Sequence, residues 1–286
     1  MVDQVFGKDA IAHLVAAYPE RPVVLTHGLA GHPLFDLEAL AQLGARMRAK
    51  DVEYNRGDLP VGIAGDAVRA NGLGIAETIR GIEKNGSWLV LKFVEQDPVY
   101  HDLLRDTLAE IAPAVRDATG EMLKLEGFIF ISSPGAVTPF HFDPEHNILL
   151  QIRGSKTFTV FPAGDETIAD DVQHETFHMG GHRNLRWDDG FAHKGTDLHM
   201  DPGEAVYVPV KAPHFVRNGP APSVSFSITW RSEWSFNESA ARGMNHLLRK
   251  VGLNPREPRR FPEQNMAKSV AYRAISRAKR LTSPNR

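Results

Sequence analysis

Residues 138–147 read TPFHFDPEHN. His141 and Asp143 stand two apart, so in an extended backbone their side chains leave the same side of the chain. A further ligand must then arrive from a different strand. The best candidate is His214 in VPVKAPHFV, which follows a strand-like run and a proline-containing turn and precedes the segment ending at Trp230. Two imidazoles and one carboxylate occupy one face of an octahedron and leave three positions open. That ligand mix suits Fe(II), a bidentate co-substrate and dioxygen. An isolated H-x-D also reads as an ordinary surface turn, so the weight falls on its surroundings.

Composition narrows the chemistry. The chain has 286 residues and no cysteine, which excludes disulfides, a thiol nucleophile and any cysteine-held zinc or iron–sulfur site. A metal would have to use His, Asp or Glu, and thirteen histidines are available. The formal charge of −2 gives no drive toward nucleic acid or anionic membrane. The first twenty residues carry acids and no long apolar run, so a signal peptide is not expected, and no run of about 18 apolar residues predicts a membrane span. The expected compartment is the cytoplasm.

Outward from the motif the pattern is β-type. Runs at 127–132, 146–153, 157–161, 205–210 and 224–230 are punctuated by GSK, PAG, DPGE, KAPH and NGPAP. Many short strands with such turns predict a sandwich, barrel or jelly roll. Between them 163–200 is polar, His-rich and weakly periodic, which reads as a long functional or lid-like loop. Helical spacing marks 8–18, 34–50, 72–85, 98–119 (interrupted near Pro113), 237–251 and 265–281, and short strands fall at 22–25 and 88–93.

The stretch 138–162, TPFHFDPEHNILLQIRGSKTFTVFP, closely resembles the JmjC and cupin-like Fe(II)- and 2-oxoglutarate-dependent oxygenases, above all the small hydroxylases of the hypoxia-inducible-factor asparaginyl type. The likeness weakens through 163–200 and returns at DPGEAVYVPVKAPHFVRNG. It implies iron ligands at His141, Asp143 and His214. It implies that Thr138, three before the first ligand, and Lys156, fifteen after it, hold the distal carboxylate of 2-oxoglutarate. Asn147 and Gln151 match polar positions inside the family's barrel. The family's asparagine near the end of the last strand is missing here, where Ile228 and Thr229 stand.

The residues agree with that likeness on their own terms. Asn147, Leu149, Gln151 and Arg153 share one face of a strand, and Ile148, Leu150 and Ile152 the other, so the first face suits a polar chamber. Lys156 shares a face with Phe158 and Val160, where an ammonium is costly without a counter-ion; a dicarboxylate supplies one, and a solvated hairpin lysine is the plainer alternative. Ser223, Ser225, Ser227 and Thr229 alternate with Val224, Phe226, Ile228 and Trp230, so Ser227 and Thr229 are expected to offer small hydroxyls to the co-substrate.

Weaker candidates remain. Tyr54, Glu145, Arg153 and His178 are expected as substrate contacts. His174, His178 and His182 recur every four residues, but Gly180 and Gly181 disfavour a helix through His182, so loop histidines near the pocket entrance are favoured over a second metal. Residues 256–286 hold nine Lys or Arg against two Glu. That composition fits a nucleic-acid arm less well than a helix packing Val270, Ala271, Ala274, Ile275 and Ala278, and the resemblance implies a homodimer through such C-terminal helices.

The expectation is therefore a mainly β fold with flanking helices: a double-stranded β-helix (jelly-roll, cupin/JmjC) core over 124–235 with the 163–200 insertion, an α+β extension over 1–123, and a helical C-terminal segment over 236–286. The expected function is an Fe(II)/2-oxoglutarate dioxygenase, using O2, that hydroxylates an unactivated C–H on a peptide or protein side chain. Alternatives are a natural-product oxygenase, an N-demethylase, a non-oxygenase metal cupin, and a regulatory binding protein.

Overall fold

The computed structural model describes residues 4–57, 60–62 and 71–282. In chain order come α1 (Lys8–Ala17), β1 (Val23–Thr26), α2 (Leu37–Arg46), β2 (Val52–Arg56), α3 (Ile75–Arg80), β3 (Ser87–Lys92) and α4 (Pro98–Thr119). Then follow β4 (Leu123–Ser132), β5 (Val137–His141), β6 (His146–Arg153), β7 (Lys156–Val160), α5 (Asp171–His178), β8 (Thr196–Met200), β9 (Glu204–Val208), β10 (His214–Asn218) and β11 (Ser223–Arg231). Helices α6 (Glu233–Lys250) and α7 (Met266–Thr282) end the described chain.

Strands β4 to β11 are shared between two antiparallel sheets in jelly-roll order, with β7 and β8 adjacent in the smaller one. The larger sheet runs β1-β9-β6-β11-β4-β3-β2 and the smaller β5-β10-β7-β8. Period-two alternation assigns the faces. Ile129, Ile131, Ile148, Leu150, Phe226, Ile228 and Trp230 point outward from the larger sheet onto Leu14, Leu40, Leu104 and Ile111 of the helices. Each such buried side chain contributes roughly 1.5–3 kcal/mol relative to exposure. The inward face packs Leu149, Val206 and Val208 against Phe158, Val160 and Val216 of the smaller sheet.

Several elements differ from the sequence expectation. Helix α4 continues through Pro113, because Ile111 and Val115 anchor it on either side while Pro113 sits on the exposed face, where the carbonyl it frees is open to solvent. Strands β2, β5, β8 and β10, five residues each and partly polar, escape a hydrophobicity pattern. The segment 163–200 is not one long loop: Thr196–Met200 is a barrel strand on β7, and Asp171–His178 is a helix. Asp170 and Gln173 form a capping box that starts that helix, and Gly180, at φ 97°, ends it. His174 and His178 are thus helical rather than loop residues, and His182 lies beyond.

The remaining insertion covers the open edge of β5. Phe142 N–H donates to Arg183 O (3.4 Å) and Leu185 N–H to Phe140 O (2.8 Å), while Val61 O accepts from Phe140 N–H (2.7 Å). Phe140, Phe142, Phe161, Leu185 and Phe215 form a third apolar cluster there, with Trp187 packed against it.

Candidate metal centre

His141 closes β5, His214 opens β10, and the two stand opposite each other in the antiparallel pair. Asp143 follows in the turn after β5. Its Oδ2 lies 3.6 Å from Nε2 of both histidines, and the two rings are 4.2 Å apart between centroids. One donor atom from each of the three residues falls within 4.8 Å of the others. His141 Nδ1–H donates to Pro139 O (2.7 Å) and His214 Nδ1–H to Ala212 O (2.9 Å). Carbonyl acceptors fix the proton on Nδ1, so both Nε2 lone pairs face the same point. Phe158 stacks on the His214 ring at 4.9 Å.

The charges suit a cation. Burial holds the His214 imidazole neutral, with its pKa pushed down to about 3. Burial disfavours the Asp143 carboxylate, yet Arg183, His141 and His214 together keep it well below the usual carboxylate range. Arg183, from the insertion, binds Asp143 Oδ1, and Lys211 N–H donates to Asp143 O (2.7 Å). Neither contact was legible in the sequence, where Arg183 lies forty residues away.

Lys156 lies on the same inward face. It is 4% exposed, and among the described residues no hydrogen bond or ion pair reaches its ammonium; burial pushes its pKa down to about 7. Thr138 joins it through an irregularity. The β5–β10 register shifts between His214 and Val216, so Thr138 pairs with inward Val216 and His141 with inward His214. Residues three apart thereby face one chamber. Asn147 accepts from Ser227 Oγ–H (2.8 Å) and borders the same space.

Other expected contacts fall elsewhere. Gln151 uses its whole amide internally: Nε2 donates to Arg153 O (2.7 Å), Gly154 O (2.8 Å) and Ser223 Oγ (3.0 Å), and Oε1 accepts from Ser225 Oγ–H (2.6 Å). It staples the hairpin turn to β11. Thr229 Oγ1–H donates to Glu126 O (3.0 Å), so its donor is spent in the sheet. Tyr54 pairs with Leu89, whose face is the helix-covered one, and packs in the outer core. Arg153 is exposed beyond the hairpin end. His178 turns toward α6, its Nε2 buried without a hydrogen-bond partner among the described residues. Glu145 is half-buried with no hydrogen bond among the described residues, and burial, then the Asp143 charge, push its pKa up. His146 is on the outer face, bonded to Tyr207 and Ser232, and is no ligand.

One family model covers the jelly roll and the stretch that carries this triad. Residues 18–235 match the model described as a cupin-like domain. The chain belongs to the cupin-like domain family. Among curated relatives of this cupin-like chain, Jumonji C domain-containing protein 5 of Drosophila melanogaster is 30% identical over 117 residues, covering 35% of this chain and 26% of that protein. Lysine-specific demethylase JMJ30 of Arabidopsis thaliana is 26% identical over 152 residues, 49% of this chain and 34% of that protein. The matches thus span only about a quarter to a third of those proteins. Among solved structures, Escherichia coli YcfD aligns over 96% of this cupin-like chain and 68% of its own, at 18% identity and a TM-score of 0.51, a likeness of fold. No described helix is long and apolar enough to cross a membrane.

Proposed function

We propose that this chain is an Fe(II)- and 2-oxoglutarate-dependent oxygenase, with His141, Asp143 and His214 holding the metal. The observation that carries the reading is the pairing of that triad with Lys156, a buried lysine with no counter-ion among the described residues on the same inward wall. A metal cupin of another kind has no need of such a cation, whereas a dicarboxylate co-substrate satisfies it. The two imidazoles and single carboxylate fit a redox-active divalent metal and leave room for further ligands. When bound, iron and 2-oxoglutarate supply the activation of O2, coupled to oxidative decarboxylation of the co-substrate. The protein's part is placement: Lys156 and Thr138 hold the distal carboxylate, Asn147 and Ser227 shape the chamber, and Leu149, Val206 and Phe158 keep water from it.

The finer reading is hydroxylation of a C–H on a peptide or protein side chain, with half-buried Glu145 at the chamber mouth as a substrate contact. A homodimer through residues 236–281 belongs to the same reading, supported by the exposed Met266 and Val270 of α7. The test is Fe(II)-dependent conversion of 2-oxoglutarate to succinate by the purified chain, abolished by His141→Ala or Asp143→Ala. Peptide pools are then screened for products gaining one oxygen atom. Absence of both metal binding and succinate overturns the oxygenase reading; loss of a methyl group, with formaldehyde, replaces hydroxylation by demethylation.

A further inference from the structure

Lys211 sits at the corner of the turn between β9 and β10. It is a non-glycine residue in the left-handed region, at φ 61°, a conformation costing about 1 kcal/mol or more for an ordinary side chain. It is 1% exposed, and its ammonium is held by both oxygens of Glu238 on α6, at 2.8 and 2.6 Å. Glu238 in turn accepts from Arg242 Nε–H (2.7 Å), and Arg242 binds Asp171 of α5.

The backbone at this corner touches supports of two metal-centre residues. Lys211 N–H donates to Asp143 O at 2.7 Å. The next carbonyl, Ala212 O, accepts from His214 Nδ1–H and sets the turn of that ring. A buried ion pair is a poor device for stability alone, since a well-packed apolar pair of similar volume often serves as well or better. It does give direction. A bidentate carboxylate fixes where the Lys211 side chain goes, and with it the left-handed corner that aims the N–H and the following carbonyl.

We propose that Lys211, through its pair with Glu238, is a positioning residue for the metal centre, coupling α6 to the geometry of Asp143 and His214. This rests on the reading of His141, Asp143 and His214 as metal ligands. Supports of this kind are commonly worth about 10–100-fold in metal affinity.

The test measures Co(II) affinity by calorimetry, together with the visible spectrum of bound Co(II) and thermal unfolding of the full chain. Three variants are compared with wild type: Lys211→Met/Glu238→Met, which removes both charges; Glu238→Gln, which keeps the shape; and Arg249→Met. The last breaks the 2.9 Å Arg249–Glu175 pair and a looser 3.6 Å pair to Asp171 on the same two helices, leaving the Arg242–Glu238–Lys211 chain in place. The expected result is a Co(II) affinity lowered about tenfold or more in the double variant, with an altered spectrum, a smaller loss in Glu238→Gln, and none in Arg249→Met. Wild-type affinity and spectrum in the double variant would overturn the proposal, as would equal losses in all three that follow the loss in melting temperature. If the double variant does not fold, Glu238→Gln against Arg249→Met decides the matter by the same criteria. A wild type that binds no Co(II) sinks the metal-ligand reading itself.

Discussion

The uncompensated Lys156 makes a prediction with a sign that runs against intuition. In the unfolded chain a lysine titrates near its ordinary 10.5; in the fold, burial lowers it to about 7. That drop of about 3.5, at about 1.4 kcal/mol per unit, comes to about 5 kcal/mol. Between about pH 7 and 10.5 the unfolded chain keeps a proton that the folded chain has shed, so stability rises with pH there, by up to about 1.4 kcal/mol per pH unit. As pH falls through about 7 the folded state must accept the buried charge and that contribution is lost. Lys156→Met, of similar length and without charge, removes the Lys156 part of the slope. The expected outcome is that the metal-free variant is more stable than wild type at pH 7 by several kcal/mol, at most about 5, and that the difference shrinks toward pH 10. The assay is urea unfolding of both proteins, without metal or co-substrate, at half-unit steps from pH 7 to 10. Adding Co(II) and 2-oxoglutarate should flatten the wild-type slope, because a carboxylate beside the ammonium raises its pKa. Parallel curves for the two proteins would refute the claim that Lys156 is buried without a counter-ion.

Other expectations follow from single contacts. Gln151→Ala should cost about 2–4 kcal/mol in denaturant unfolding, since it strands the Arg153 and Gly154 carbonyls, while leaving 2-oxoglutarate affinity within about twofold of wild type; a large affinity loss at full stability would return Gln151 to the co-substrate site. Gly243→Ala should loosen α7 from α6, because its new Cβ would stand 2.4–2.8 Å from the Tyr272 ring; a loss of about 1–3 kcal/mol and faster proteolysis after residue 250 are expected, with metal binding intact. Sedimentation at micromolar concentration should return a dimer for wild type, and a monomer there would end the dimer reading.

What the sequence disclosed follows physical range. The meeting of His141, Asp143 and His214 was legible because His141 and Asp143 are neighbours, and because a turn-and-strand pattern brackets His214. Inward and outward faces of β6 and β11 were legible because eight or nine residues suffice to show an alternation. Partners were not. Alternation put Gln151 on the chamber side correctly, yet its amide is consumed by a turn two and three residues away and by β11, which no periodicity reports. Tyr54 failed for another reason: β2 has five residues, and its facing is set by register with β3 rather than by its own pattern. Thr138 and His141 would point to opposite sides of a regular strand, and only the irregularity in β5–β10 pairing lets both face inward.

The two buried lysines of the barrel sharpen the functional reading because each controls for the other. Lys211 and Lys156 are 1% and 4% exposed, so both have left water almost wholly. Lys211 meets a carboxylate bidentately, and although burial opposes it, that carboxylate is held well below its usual range by Lys211 and Arg242. The fold therefore can build a counter-ion where a lysine is structural. At Lys156 it builds none among the described residues, on an inward wall that the register shares with Phe158, Thr138 and His214. An uncompensated charge of that cost is tolerable if the missing anion is diffusible and bound during function. A dicarboxylate that also reaches the metal meets both requirements. A buried lysine that merely packed would be replaceable by methionine without consequence for co-substrate affinity, and that is the comparison on which the oxygenase reading turns.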